Sequence, residues 1–143
     1  GARSDFRDAA RAVLELIGTA IDSPEVAALS PDLIAALIEP GDGALKKALD
    51  GLLSAVYTST VSGASCALIC PVIERSLTRG SDAEVRQKGA SFARTLSQWA
   101  LDSEELEPYL AILRPPLQQL LGDPAPAVRE AAASAVGALA AAA

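Results

Sequence analysis

Cys66 and Cys70 stand four residues apart, so a helix would carry both thiols on one face, where they could supply two of a zinc ion's four ligands. No further pair of ligands offers itself. The chain has no histidine, the usual metal ligand and general base near neutral pH, so neither a Ser-His-Asp nor a Cys-His arrangement can be assembled. Glu104 and Glu105 are adjacent carboxylates in "LDSEELEP". They follow Ser103, a helix-capping residue type, and acids in a first turn favour the helix dipole, so the run reads as structural. The "GDG" at Gly41 is a turn and not a phosphate loop, because no Gly-Lys-Ser follows it. No catalytic, cofactor-binding or metal-ligating residue is therefore assigned. The cysteines are expected to be buried apolar thiols.

Composition narrows the class. Of 143 residues, 50% are apolar, yet the aromatics are one tryptophan, two tyrosines and two phenylalanines. Alanine and leucine, both good helix formers, dominate. A formal charge of −6 argues against a general nucleic-acid binder. Two cysteines make no disulfide framework, and a reducing compartment is expected. The stretch Gly51 to Ile73 carries no charge. Its middle, "TSTVSGAS", is a cluster of turn formers, so it reads as two helices and a loop and not as a membrane span.

The elements that carry these residues repeat. "DFRDAARAVLELIGTA", "ALKKALDGLLSAVYTS", "EVRQKGASFARTLSQW" and "AVREAAASAVGALAAA" align without gaps, at a period of roughly forty residues. One column is apolar: Phe6, Leu45, Val85, Val128. Positions four, seven and eleven further on add Ala10, Val13 and Ile17; Leu49, Leu52 and Val56; Gly89, Phe92 and Leu96; Ala132, Ala135 and Leu139. That spacing traces one helix face. A second helix precedes three of these, with Pro31, Pro71 or Pro115 near its start, where a proline is expected to bend the helix or begin a new one. The turns "EPGDG", "TRGSD" and "GDPAP" join each pair.

Two-helix units at this period predict an all-α, right-handed α-α superhelix of the HEAT or armadillo type, with one half repeat and three full repeats. The expected organisation is a single domain over 1–143: helix B of a partial repeat at 5–20, then repeats at about 24–60, 62–101 and 103–141. The last helix presents an apolar face, and Ala131 to Ala143 carries no charge. It reads as part of a longer array, or as one followed by disordered chain.

Next to the apolar column runs a basic one: Arg7, Lys46, Arg86, Arg129. It has two readings. In the first it forms an inter-repeat ladder with the turn acids Asp42, Asp82 and Asp123. In the second, Lys46, Lys47, Arg79, Arg86 and Lys88 form an edge that faces RNA, opposite an acidic edge of Asp102, Glu104, Glu105 and Glu107.

The phrase "LRPPLQQLLGDPAPAVREAAASAVGALA" resembles a HEAT repeat in its proline, its Asp-Pro turn, its Val-Arg pair and its alanine-spaced helix B. With "ICPVIERSL" and "LEPYLAILRPPL", the region from about 20 to 140 resembles one HEAT stretch. That stretch is shared by the large translational activator of general amino-acid control and fungal-type translation elongation factor three. Asp123, Pro124, Val128 and Arg129 stand where the activator family has its own turn motif. The resemblance implies a cytoplasmic, non-catalytic scaffold without cofactor, membrane span or small-molecule substrate. Its implied partners are proteins, the ribosome through RNA and protein, and an ATP-binding-cassette protein. Its implied role is to promote activation of the initiation-factor kinase under amino-acid starvation. An elongation-factor segment and a generic protein-binding HEAT scaffold stand as the alternatives.

Overall fold

The structure is a computed structural model that describes residues 2–57, 61, 63–101 and 104–142. Every regular element among them is helical. In chain order these are α1 (Ala2–Thr19), α2 (Pro24–Ile38), α3 (Gly43–Ser54), α4 (Gly63–Arg79), α5 (Ala83–Ala100), a 3-10 turn (Glu104–Leu106), α6 (Glu107–Leu120) and α7 (Pro126–Ala142). The fold is the all-α solenoid that the period predicts.

Helices α2, α4 and α6 pack successively on one another, as do α3, α5 and α7, and each pair α2–α3, α4–α5 and α6–α7 packs across the two layers. Local chemistry sets the helix starts. The Ser23 hydroxyl accepts from the Val26 N–H at 3.4 Å, and Pro24 follows it in the first turn, where its missing N–H costs nothing. Asp82 accepts from the Glu84 N–H at 3.0 Å at the start of α5. Gly41, at φ 81°, provides the left-handed step of the α2–α3 turn.

Of the two expected effects of the prolines, the start of a new helix is not seen: α2, α4 and α6 each continue through Pro31, Pro71 or Pro115. All three rings are exposed, so water can satisfy the carbonyls they free. The uncharged stretch is divided between the end of α3 and α4, and among the described residues no helix is long and apolar enough to cross a membrane. Of its expected loop, Thr58–Thr60 and Ser62 lie outside the described residues.

The repeating face is buried where a neighbouring pair covers it. Leu45, Leu49 and Leu52 on α3, Val85, Phe92 and Leu96 on α5, and Val128, Ala132, Ala135 and Leu139 on α7 are all in the core. Each large side chain so buried contributes about 1.5–3 kcal/mol. Alanine suffices on α7 because the helix lies close against α5, the most extensive helix–helix packing in the molecule, and α5 and α6 supply the bulk: Phe92, Leu96, Leu113 and Leu117. Tyr57 and Phe92 both stack edge-on to Trp99, with centroids 4.9 and 5.6 Å away. The Tyr57 hydroxyl donates to the Leu52 carbonyl at 2.8 Å, folding the chain after α3 back onto that helix, while its ring meets Phe92 and Trp99 of α5. Burial pushes the Tyr57 phenol up to about 12.

Three positions of the expected buried face are corrected. Val13 is 58% exposed, because α1 packs on α2 and α4 and makes no contact with α3. Its inward residues are Leu14 and Ile17, which leaves Phe6 77% exposed. Val56 is also exposed, because α3 ends at Ser54 and the helical register stops there.

Two helical glycines make opposite demands. A Cβ at Gly89 would lie 2.0 Å from the Ser76 Oγ and 3.1 Å from its Cβ, whereas one at Gly137 would meet nothing within 4 Å. Gly89→Val is expected to destabilise the fold by about 1–3 kcal/mol through overpacking against α4. Gly137→Ala is expected to stabilise it by about 0.5–1 kcal/mol through helix entropy. Urea unfolding of both variants checks the two signs.

Candidate interaction edge at the interhelical turns

The turns that close each helix pair lie side by side, and their polar groups join across a separation of roughly forty residues. Asp42, in the α2–α3 turn, accepts through one carboxylate oxygen from the Asp82 N–H at 2.8 Å and the Ser81 hydroxyl at 3.0 Å. Lys46, one turn into α3, reaches forward to Asp82 and Glu84, both at 3.1 Å. These two bonds, Asp82 first, raise the Lys46 ammonium above its ordinary value. The Glu84 N–H and then Lys46 lower Asp82. Glu84 also binds Lys88 at 2.8 Å, and Lys88 reaches back to Asp50. Those partners lower Glu84 and raise Lys88.

The next junction is built on arginine. Arg86 directs Nε to Asp123 at 2.8 Å and a terminal nitrogen to the other carboxylate oxygen at 3.3 Å. Its remaining nitrogen donates to the carbonyls of Gly80 and Ser81 at 3.0 and 3.2 Å. One planar guanidinium thus closes its own turn and pins the next, a geometry lysine cannot reproduce. Asp123 is buried, also caps the Ala125 N–H at 2.9 Å, and is held below the ordinary carboxylate range first by Arg86.

The ends of the basic column depart from the expected ladder. Arg129 clamps its own turn through the carbonyls of Asp123 and Pro124, at 2.7 and 3.2 Å, and makes no ion pair among the described residues. Arg7 makes none among them either, because α1 rests on α2 and α4 and does not continue the α3–α5–α7 layer. Asp42 binds turn N–H and hydroxyl groups, not a cation, because the next turn reaches it first.

The five residues of the expected RNA edge divide unequally. Lys46, Arg86 and Lys88 are engaged within the protein. Lys47 lies 3.5 Å from Asp32 but is 75% exposed. Arg79 is exposed and unpaired among the described residues. On the opposite edge, Asp102 and the expected cap Ser103 lie outside the described residues. Glu105 does not cap its own helix: it accepts from the Gly63 N–H at 3.0 Å, at the first turn of α4.

Sequence reasoning missed this cap and a second one. Arg75 on α4 donates to the carbonyls of Leu37 and Glu39, at 3.2 and 3.3 Å, where α2 ends without a basic residue of its own. No spacing signals either contact, since each joins residues from different units. Cys66 and Cys70 are buried in α4, and their mutual hydrogen bond, then burial, pushes the Cys70 thiol well up.

Residues 43–143 match the family model described as "Elongation factor 3/GNC1 HEAT repeat". The chain is 32% identical over 133 residues to the "Protein ILITYHIA" of Arabidopsis thaliana, covering 93% of this chain and 5% of that protein. It is 33% identical over 131 residues to the human "Stalled ribosome sensor GCN1", covering 92% and 5%. It is 32% identical over 135 residues to the Saccharomyces cerevisiae "eIF-2-alpha kinase activator GCN1", covering 94% and 5%. The chain thus spans 5% of the length of these relatives. No solved structure matches it.

Breaking the Arg86–Asp123 pair by Asp123→Asn is expected to cost about 1.5–3 kcal/mol near pH 7, the range for a hydrogen bond to a charged group. The folded-state carboxyl ionises below its ordinary value, so its contribution is present above the ordinary carboxylate range. That contribution is lost as pH falls through the depressed value. Urea unfolding of parent and variant from pH 7 to pH 2.5 should show the difference closing in acid. A double-mutant cycle with Arg86→Met should return a coupling, whereas Arg7→Met should leave stability unchanged.

Proposed function

Since the chain belongs to the elongation factor 3/GNC1 HEAT-repeat family, we propose that it is a scaffold segment of a ribosome-associated, cytoplasmic translational activator. In this reading it helps to activate an eIF-2-alpha kinase and performs no chemistry of its own. The observation that carries the reading is similarity over more than nine-tenths of the chain to relatives whose names specify a stalled-ribosome sensor and an eIF-2-alpha kinase activator. These names favour the activator over the elongation-factor branch of the family.

The physical basis is a stiff array. Helix pairs share one continuous core, and the turns are cross-linked by Asp42, Lys46 and Arg86. Such an array holds surface groups at fixed separations, which is what a scaffold between the ribosome and protein partners needs. An ATP-binding-cassette protein is among the partners this reading carries. For contact with ribosomal RNA, the turn edge offers Lys47 and Arg79. Lys46, Arg86 and Lys88 are spent on holding the units together.

A double variant Lys47→Glu/Arg79→Glu tests this. Both side chains are exposed, so the melting temperature should hold. Co-sedimentation with purified ribosomes should weaken, and its log–log salt slope should flatten by about 0.7–0.9 for each phosphate that the variant no longer neutralises. Unchanged co-sedimentation by the folded variant would remove the turn edge from the ribosome contact.

A further inference from the structure

A second surface differs in kind from the turn edge. Helices α5 and α7 enclose an open groove of about 490 Å³, which continues toward their C-terminal ends as a further 290 Å³. One wall is a stripe on α5, Gln87, Ser91, Arg94 and Gln98, at helical spacing. The other is α7, where alanines alternate with Glu130 and Ser134. The alanines make the groove: they let α7 lie close to α5 at the core and leave no long side chain to fill the space above it. At the turn edge nearly every charge is paired. Among the described residues, these six groove side chains have no hydrogen-bond or ion-pair partner within the chain. Arg94 and Glu130 line the same groove without bridging to each other.

The lining selects among ligands. One cation and one anion give no net charge, so a phosphate chain finds no counter-field. Over the 490 Å³ part the polar walls leave no continuous apolar slot for a helix ridge or an acyl chain, the apolar lining of Leu101, Ala138 and Ala141 being confined to its continuation. Carboxamides each offer a donor and an acceptor, the same pair that a peptide group presents. Gln87 and Gln98 are separated by about 16 Å along α5 at the usual helical rise, a span covered by about five residues of extended chain. Between them Arg94 offers a fork of donors suited to a carboxylate. Glu130, near the turn end, repels an acid there and favours a cation or amide. We propose that the α5–α7 groove binds an extended segment of a partner protein through its backbone, with an acidic side chain of that segment on Arg94. This rests on the scaffold reading but not on the ribosome contact, which uses a different face.

The test is selection from a displayed library of random nine-residue peptides on the 143-residue chain. Enriched peptides should share an acid at one position. A labelled consensus peptide should then bind about tenfold or more weakly to Arg94→Glu, the loss expected for a hydrogen bond to a charged group. Reselection on that variant should replace the acid with a base. Gln87→Ala and Gln98→Ala should each weaken binding several-fold, and N-methylation of the peptide amides flanking the acid should abolish it. Unchanged helicity and unfolding midpoint establish that the variants are folded. Failure to find a consensus, or a consensus peptide that binds Arg94→Glu as well as the parent, overturns the proposal. So does displacement of the peptide by polyuridine RNA, or its loss on Lys47→Glu/Arg79→Glu in place of the groove variants. Arg94→Glu should leave ribosome co-sedimentation unchanged, so failure of one reading is visible apart from failure of the other.

Discussion

The helices of this chain carry their apolar residues on narrow stripes, and a stripe leaves water only against the helices of a neighbouring pair. That dependence governs the rest. Val128, Ala132, Ala135 and Leu139 would make a poor core alone, with little side chain to bury. Against α5 and α6 they close a continuous interior with Phe92, Leu96, Leu113 and Leu117. Where no pair covers the stripe, as along Phe6 and Val13 of α1, the same type of residue stays in water.

Apolar burial is non-directional and does not by itself fix how one pair sits on the next. The turns supply direction. Asp42 receives the backbone N–H of Asp82, Lys46 meets Asp82 and Glu84, and Arg86 holds Gly80, Ser81 and Asp123 at once. Arg75 and Glu105 do comparable work inside the array, closing the end of α2 and the start of α4. These contacts join residues of adjacent units, so each pair is registered on its neighbour by charge-assisted bonds that a sliding or rotated packing would break.

The cross-linking separates the surfaces functionally. Charges used for registry are neutralised where they stand, which leaves Lys47 and Arg79 as the outward cations of the turn edge. In the groove between α5 and α7 the polar side chains Gln87, Ser91, Arg94, Gln98, Glu130 and Ser134 take no part in registry, because alanine packing already sets the distance between those helices. An array of this kind can hold itself together with one face and present another.

The sequence alone determined the helical pairs, the turns and most of the buried stripe. Helical periodicity and turn chemistry are local, and they are written in residues a few positions apart, such as Val85, Gly89, Phe92 and Leu96. It also placed acids in the turns and cations beside them. The tertiary structure decided that α1 rests on α2 and α4 and not on α3, and that Arg129 keeps to its own turn. It decided that Asp42 serves an amide instead of a cation, that Arg75 and Glu105 cap helices of other units, and that an unpaired polar groove lies between α5 and α7. The reason is the same in each case: which donor reaches a given acceptor depends on how whole helices stack, and two groups in different repeats carry no mark of that distance in their own spacing.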